Sequence, residues 1–143
     1  MDSSSTLPAE QRRHWMSVLA KARTEDLAAM CAPIRNRPSY LWLRRPETGL
    51  VMVRARAGGS GAQFNFGEMA VTRCVLRTAH DIAGYAYVPG RNSGHAELAA
   101  LMDAMLLDPA RHDEVYRCVV RPLAESRRER LAAAAAKAAA TKV

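Results

Sequence analysis

The apolar positions along the chain change their period twice, and the changes mark its elements. Trp15, Val18, Leu19 and Ala22 recur at i, i+3, i+4 and i+7, the spacing of one helix face. A first helix is therefore predicted from Pro8, a residue suited to a helix start, to about Ala22. Residues 1–6 ahead of it are expected to fray. Thr24 is placed to cap a second, shorter helix with Glu25 and Asp26 in its first turn and Leu27, Met30, Cys31 and Ile34 inward.

From Ser39 the period falls to two. Ser39–Arg44 and Leu50–Ala57 are rich in aromatic and branched residues and flank Pro46-Glu47-Thr48-Gly49, which has the composition of a hairpin turn. A third strand is predicted over about Met69–Thr78 and a fourth over about Ala83–Val88, joined by the short Ala79–Ile82 link. Connections this short cannot hold crossover helices, so the sheet is expected to be an antiparallel meander. Val51, Val53, Ala55 and Ala57 share one face of the second strand, opposite Leu50, Met52, Arg54 and Arg56. In the third, Ala70, Thr72, Cys74 and Leu76 oppose Val71, Arg73, Val75 and Arg77. The arginine-bearing face reads either as a solvated outer surface or as a contact surface, with Tyr85 and Tyr87 on one face of the neighbouring strand.

The helical period returns after Pro89-Gly90-Arg91-Asn92-Ser93-Gly94. A helix over about Gly94–Leu107 carries Leu98, Leu101, Met102, Met105 and Leu106 on its core face, with Ser93 and Glu97 placed for capping. Asp108-Pro109 stops it. Another from about Arg111 buries Val115, Val119 and Leu123, and Pro122 should kink it. Glu125–Val143 has high helix propensity and almost no apolar residue beyond Leu131, so this alanine-rich tail needs a partner to be held in place. The expected fold class is α+β, a four-stranded antiparallel meander with N-terminal and C-terminal helices packed on one face, in a single domain spanning residues 1–143.

The 143 residues are enough for one core without a disulfide or metal. Cys31, Cys74 and Cys118 are odd in number and widely spaced, and read as reduced, mostly buried thiols. The N-terminus lacks a basic region followed by an apolar run, and no segment reaches the length of a membrane span, so a cytoplasmic protein without membrane contact is expected. A net charge of +7 favours acidic partners of several kinds.

Between the second and third strands lies Gly58–Arg73, with four glycines in its first ten residues and both phenylalanines, Phe64 and Phe66, ahead of Glu68. Gly58, Gly59 and Gly61 allow positive φ or close backbone approach, so the loop is either self-packed or a contact element. No Gly-Lys-Ser/Thr follows and no helix succeeds it, which excludes a P-loop and a dinucleotide fingerprint. Arg73 and Arg91 could still hold an anionic group together with another chain. His95-Ala96-Glu97 shares the His-x-Glu of zinc deaminases, but the matching Pro-Cys-x-x-Cys is absent, and helix capping by His95 and Glu97 is the better reading. His14, His80 and His112 show no ligand spacing, so no metal site is assigned. No nucleophile lies beside a base, and no catalytic residue is assigned.

Taken together, Arg13-His14-Trp15-Met16-Ser17-Val18-Leu19-Ala20, Glu47-Thr48-Gly49-Leu50-Val51, the Gly58–Gly61 loop with Phe64 and Gly67, Thr72-Arg73, Gly84-Tyr85, Gly90-Arg91 and His95-Ala96-Glu97 resemble the G subunit of the bacterial carbon–phosphorus lyase system, the PhnG family, over about residues 11–143. Family members usually continue into an aromatic tail, so a shortened C-terminus is expected. The resemblance implies a non-catalytic or accessory subunit of a core complex with H-, I- and J-type subunits, and an L-type subunit for activity. That complex forms α-D-ribose 1-methylphosphonate 5-triphosphate from ATP and methylphosphonate, releasing adenine. ATP is then a substrate of the complex, the I-type subunit the main partner, and no cofactor belongs to this chain. A small basic nucleic-acid-binding module is the alternative, with only Tyr85 and Tyr87 available for stacking.

Overall fold

The computed structural model describes residues 3–56 and 63–141. Helix α1 (Ser3–Lys21) and helix α2 (Thr24–Cys31) precede three strands, β1 (Tyr40–Arg56), β2 (Gln63–Thr78) and β3 (Ala83–Pro89). Helix α3 (Ser93–Leu107), a single turn α4 (His112–Val115), a π-helical turn (Tyr116–Val120) and helix α5 (Arg121–Thr141) complete the chain. The class is α+β, and the sheet is an antiparallel meander in the order β1-β2-β3.

The sheet has three strands, not the expected four. Pro46-Glu47-Thr48-Gly49 does not turn the chain but lies inside β1, where Glu47 opposes Arg73, Thr48 opposes Thr72 and Gly49 opposes Val71. Register shifts between Trp42 and Arg44 and between Arg44 and Glu47 absorb the misfit. β1 is an edge strand, and an edge bulge is where proline can sit in a sheet without removing a ladder hydrogen bond. The Thr48 hydroxyl also bonds that of Thr72 at 2.9 Å, tying the bulged segment to β2. The hairpin instead reverses after Arg56, which opposes Gln63. Its connection, which includes Gly58, Gly59 and Gly61, lies outside the described residues.

Thr72, Cys74 and Leu76 on β2 and Ala86 and Val88 on β3 are buried beneath α3. α3 is buried on nearly every side from Ala99 to Leu106, which makes it the central helix rather than an amphipathic cover. It approaches β3 so closely that a Cβ on Gly84 would overlap the Ala100 carbonyl and stand 2.9 Å from the Ala104 methyl. Trp15, Val18 and Leu19 of α1, Leu27 and Cys31 of α2, and Val115, Val119 and Leu123 close the same core.

Several helix boundaries differ from expectation. α1 begins at Ser3, so Pro8 lies within it and residues 3–6 are helical, at the loss of one backbone bond to Ser4. Asn92, not Ser93, caps α3, its side-chain oxygen accepting from the His95 amide at 2.9 Å. Thr24 heads α2 without capping it, because its hydroxyl is committed to other partners. The π-helical turn immediately before Pro122 widens the helix where the proline ring would otherwise press on the preceding turn. From Leu131 to Thr141 every residue of α5 is exposed, consistent with a tail that carries no core.

Candidate functional site

The candidate residues fall into three places. Glu68 and Arg73 are exposed on β2, while Phe64 and Phe66 occupy its distal part, Phe64 opposite Ala55, with side chains outside the described set. Arg91 is exposed in the turn that follows Gly90, whose φ of +93° is a conformation glycine favours. His95 and Glu97 begin α3 on the other side of the sheet. Gly58, Gly59 and Gly61 cannot be placed relative to these groups.

Arg73 sits at the middle of the sheet's uncovered face, between Glu47 on β1 and Tyr87 on β3. These three, with Leu50 and Val71 among others, line a cleft of about 200 Å³. None of the ion pairs among the described residues includes Arg73. Its guanidinium therefore remains available as a planar, forked donor for a carboxylate or phosphate.

His95 and Glu97 do not converge on a common site. Residues two apart on a helix point about 200° apart, to opposite sides. The His95 ring is buried: Nε2 donates to the Leu19 carbonyl at 2.8 Å and Nδ1 is 3.0 Å from the Thr24 hydroxyl. The carbonyl can only accept, so Nε2 carries the proton and, in the neutral ring, Nδ1 accepts from Thr24. Asn92 Nδ2 in turn donates to Thr24 Oγ1 at 2.9 Å. This network pins the α1–α2 junction to the start of α3. Glu97 instead accepts a hydrogen bond from the Tyr40 hydroxyl. Burial, then the bond to Glu97, pushes the Tyr40 phenol up to about 12, so it stays a donor.

The thiols are likewise quiet. Burial raises Cys31 to about 11, and burial with the Glu97 charge raises Cys74 to about 11, well away from nucleophilic thiolate. Among the described residues no three His, Cys, Asp or Glu side chains are grouped to hold a metal ion. What this arrangement can do chemically is contact and position.

The main polar cluster escaped sequence reasoning. Asp103 is fully buried in α3 and accepts from Arg12 Nε at 3.2 Å and Nη2 at 2.8 Å, from Trp15 Nε1 at 2.8 Å and from the Tyr85 amide at 2.9 Å. The hydrogen bond to Asp103 raises the Arg12 pKa further, so the guanidinium stays charged. The available signal was a carboxylate between Met102 and Met105 in an apolar stripe. On the outer side, the Arg12 guanidinium lies over the Tyr85 ring, 5.2 Å from its centroid.

Comparison with known proteins fits this arrangement to a family. The family model described as "Phosphonate metabolism protein PhnG" matches residues 10–143. A relative from Rhizobium meliloti (strain 1021), named alpha-D-ribose 1-methylphosphonate 5-triphosphate synthase subunit PhnG, is 38% identical over 105 residues, covering 73% of this chain and 67% of the relative. The chain belongs to the PhnG family of phosphonate metabolism proteins.

Proposed function

We propose that this chain is an accessory subunit of the complex that forms α-D-ribose 1-methylphosphonate 5-triphosphate from ATP and methylphosphonate, with release of adenine, in phosphonate catabolism. The observation that carries the reading is the family match across residues 10–143, supported by the relative named as a subunit of that synthase. Subunits of the I, H and J types, with an L type for activity, are the partners in this reading, the I type foremost. The chain works in the cytoplasm, with ATP as a substrate of the complex and no cofactor of its own. No helix among the described residues is long and apolar enough to cross a membrane, which agrees with that placement.

The chemistry of the described side chains supports an accessory role. His95 spends both ring nitrogens on structure, Cys31 and Cys74 are held as thiols, and Arg73, opposite Glu47, presents a forked donor on the uncovered face. Co-expression with the companion subunits, followed by size exclusion and an adenine-release assay, tests the reading. The full complex should release adenine from ATP and methylphosphonate, and the isolated chain should release none. Turnover by the chain alone, or failure to co-elute with the companions, would refute it.

A further inference from the structure

The helices cover one face of the sheet, and the other face carries an unusual load of apolar side chains. Leu41 is 76% exposed, Leu43 58% and Tyr87 54%, and Tyr85 and Met69 are exposed as well. Apolar surface of this extent beside arginines marks a contact site more than a solvated face. Next to it, between α1 and β3, lies a groove of about 320 Å³ lined by Met16, Ala20, Met69, Tyr85 and Tyr87 among others. Tyr87 borders both this groove and the cleft that holds Arg73, so the two depressions adjoin.

The hairpin extends the same surface. β3 pairs with β2 only from Val71 to Arg77, whereas β1 and β2 pair with each other from Tyr40–Thr78 to Arg56–Gln63. Seventeen residues of extended chain measure about 55 Å. A compact domain of 143 residues has a radius of gyration of about 15 Å, and so a diameter below about 40 Å. The distal part of β1–β2 therefore stands out as a two-stranded ribbon, an arrangement only marginally stable in water by itself. Leu50, Met52 and Met69 lie on it, exposed.

We propose that the uncovered sheet face and the ribbon form one docking surface for a different protein chain, which places an apolar side chain in the groove by Tyr87 and carboxylates against Arg73 and its neighbours. This rests on the subunit reading above and assigns the surface through which it operates. Charge selects the occupant. Arg44 and Arg73 are exposed on this face and take part in none of the ion pairs among the described residues, against Glu47 alone, and Arg54 adds a further exposed cation on the ribbon. In a chain of net charge +7, a second copy would set like charge against like, whereas an acidic partner is steered in and held. Nucleic acid fits less well, because Arg12 already covers one face of Tyr85 and most of the other exposed apolar side chains are aliphatic.

The test co-expresses the full chain with the companion subunits and measures the ratio of complex-bound to free chain by size exclusion with mass spectrometry. Arg73→Glu, Tyr87→Glu and Met69→Glu should each lower that ratio at least about tenfold, as loss of a central contact does. Ala28→Glu, at an exposed position on α2 away from this face, should leave it unchanged. Leu41→Glu, at the most exposed of these positions, guards against lost folding: it should weaken assembly while the free chain melts as wild type does. If the wild-type chain assembles and the face variants assemble equally well, the docking surface is wrong and the subunit reading stands. If the wild type never co-elutes, both fall. A wild-type dimer of this chain alone, or bound nucleic acid, that these variants abolish would equally overturn the acidic-protein assignment.

Discussion

Replacing Asp103 with alanine should destabilise the chain more than any change to its surface charges. The carboxylate is fully buried and accepts four hydrogen bonds from two elements, α1 and β3. Its removal leaves the Trp15 indole and the Tyr85 amide without an acceptor, each at a cost of about 1–3 kcal/mol. Arg12 is about one-third exposed and regains part of its hydration, so its share is smaller. The sum agrees with the roughly 3–5 kcal/mol lost when one partner of a buried ion pair is deleted. At about 2.1 cal/mol/K per residue, the unfolding entropy of 143 residues converts this to a fall in Tm of about 10–17 °C. Differential scanning calorimetry and urea titration measure it directly. Asp103→Asn, which keeps one acceptor oxygen but turns an amide toward Arg12, should fall between. Arg77→Ala breaks only the exposed pair with Asp81 and should cost less than about 1 kcal/mol. If Asp103→Ala stays within about 1 kcal/mol of wild type, the carboxylate is not what fastens α1 and β3 to α3.

Four further outcomes are expected. Gly84→Val should destabilise by about 2 kcal/mol or more through overlap with the α3 backbone, while Gly49→Ala, with no atom within 4 Å of the new methyl, should be nearly silent in the same melts. Cys118, half-buried, should react with a thiol reagent long before Cys31 and Cys74, and equal rates would contradict their burial. Because burial raises Cys31 and Cys74 from 9.0 to about 11, their contribution to stability is intact below pH 9 and is lost as pH climbs through 11, with Tyr40 adding to the loss above pH 10. A double Cys31→Ala, Cys74→Ala variant should show a flatter alkaline decline than wild type. Amide exchange in Glu125–Thr141 should be fast in the free chain and slow in the complex, and equal protection in both would mean that the tail has no partner.

The helices were legible because their apolar stripes repeat over several turns: Trp15, Val18 and Leu19 did define the buried face of α1, with Ala22 buried just past its end. The alternation on β2 likewise placed Cys74 and Leu76 inward and Arg73 and Arg77 outward. The strand count was not legible, since Pro46-Glu47-Thr48-Gly49 has the residues of a turn and only pairing with Thr72 and Arg73 shows it to be an edge bulge. Nearness in sequence also misled at His95 and Glu97, which suggest a pair but serve the α1–α2 junction and β1 separately. The Asp103 cluster was hidden for the converse reason. Its donors come from residues 12, 15 and 85, which no local pattern connects to a carboxylate in α3.

That hidden cluster bears on how the chain can serve as a subunit. Asp103 fixes the Tyr85 backbone from inside, and Arg12, held by the same carboxylate, lies over the Tyr85 ring on the outside. One buried group thus holds a side chain at the rim of the uncovered face in a single setting. A contact residue already ordered loses little conformational entropy on docking, so this end of the surface is suited to act as the anchor. The distal ribbon has no third strand beside it and exposes Leu50, Met52 and Met69. Its order is to be completed by the partner, and the entropy lost there subtracts from affinity. The two ends should therefore answer differently to mutation. Loosening the anchor through Asp103→Asn should weaken assembly even though Asp103 touches no partner, whereas shortening the ribbon by one residue pair on each strand should change affinity with little change in the melting of the free chain. If Asp103→Asn alters melting but leaves assembly at the wild-type level, the cluster serves stability alone and the anchor lies elsewhere on the sheet.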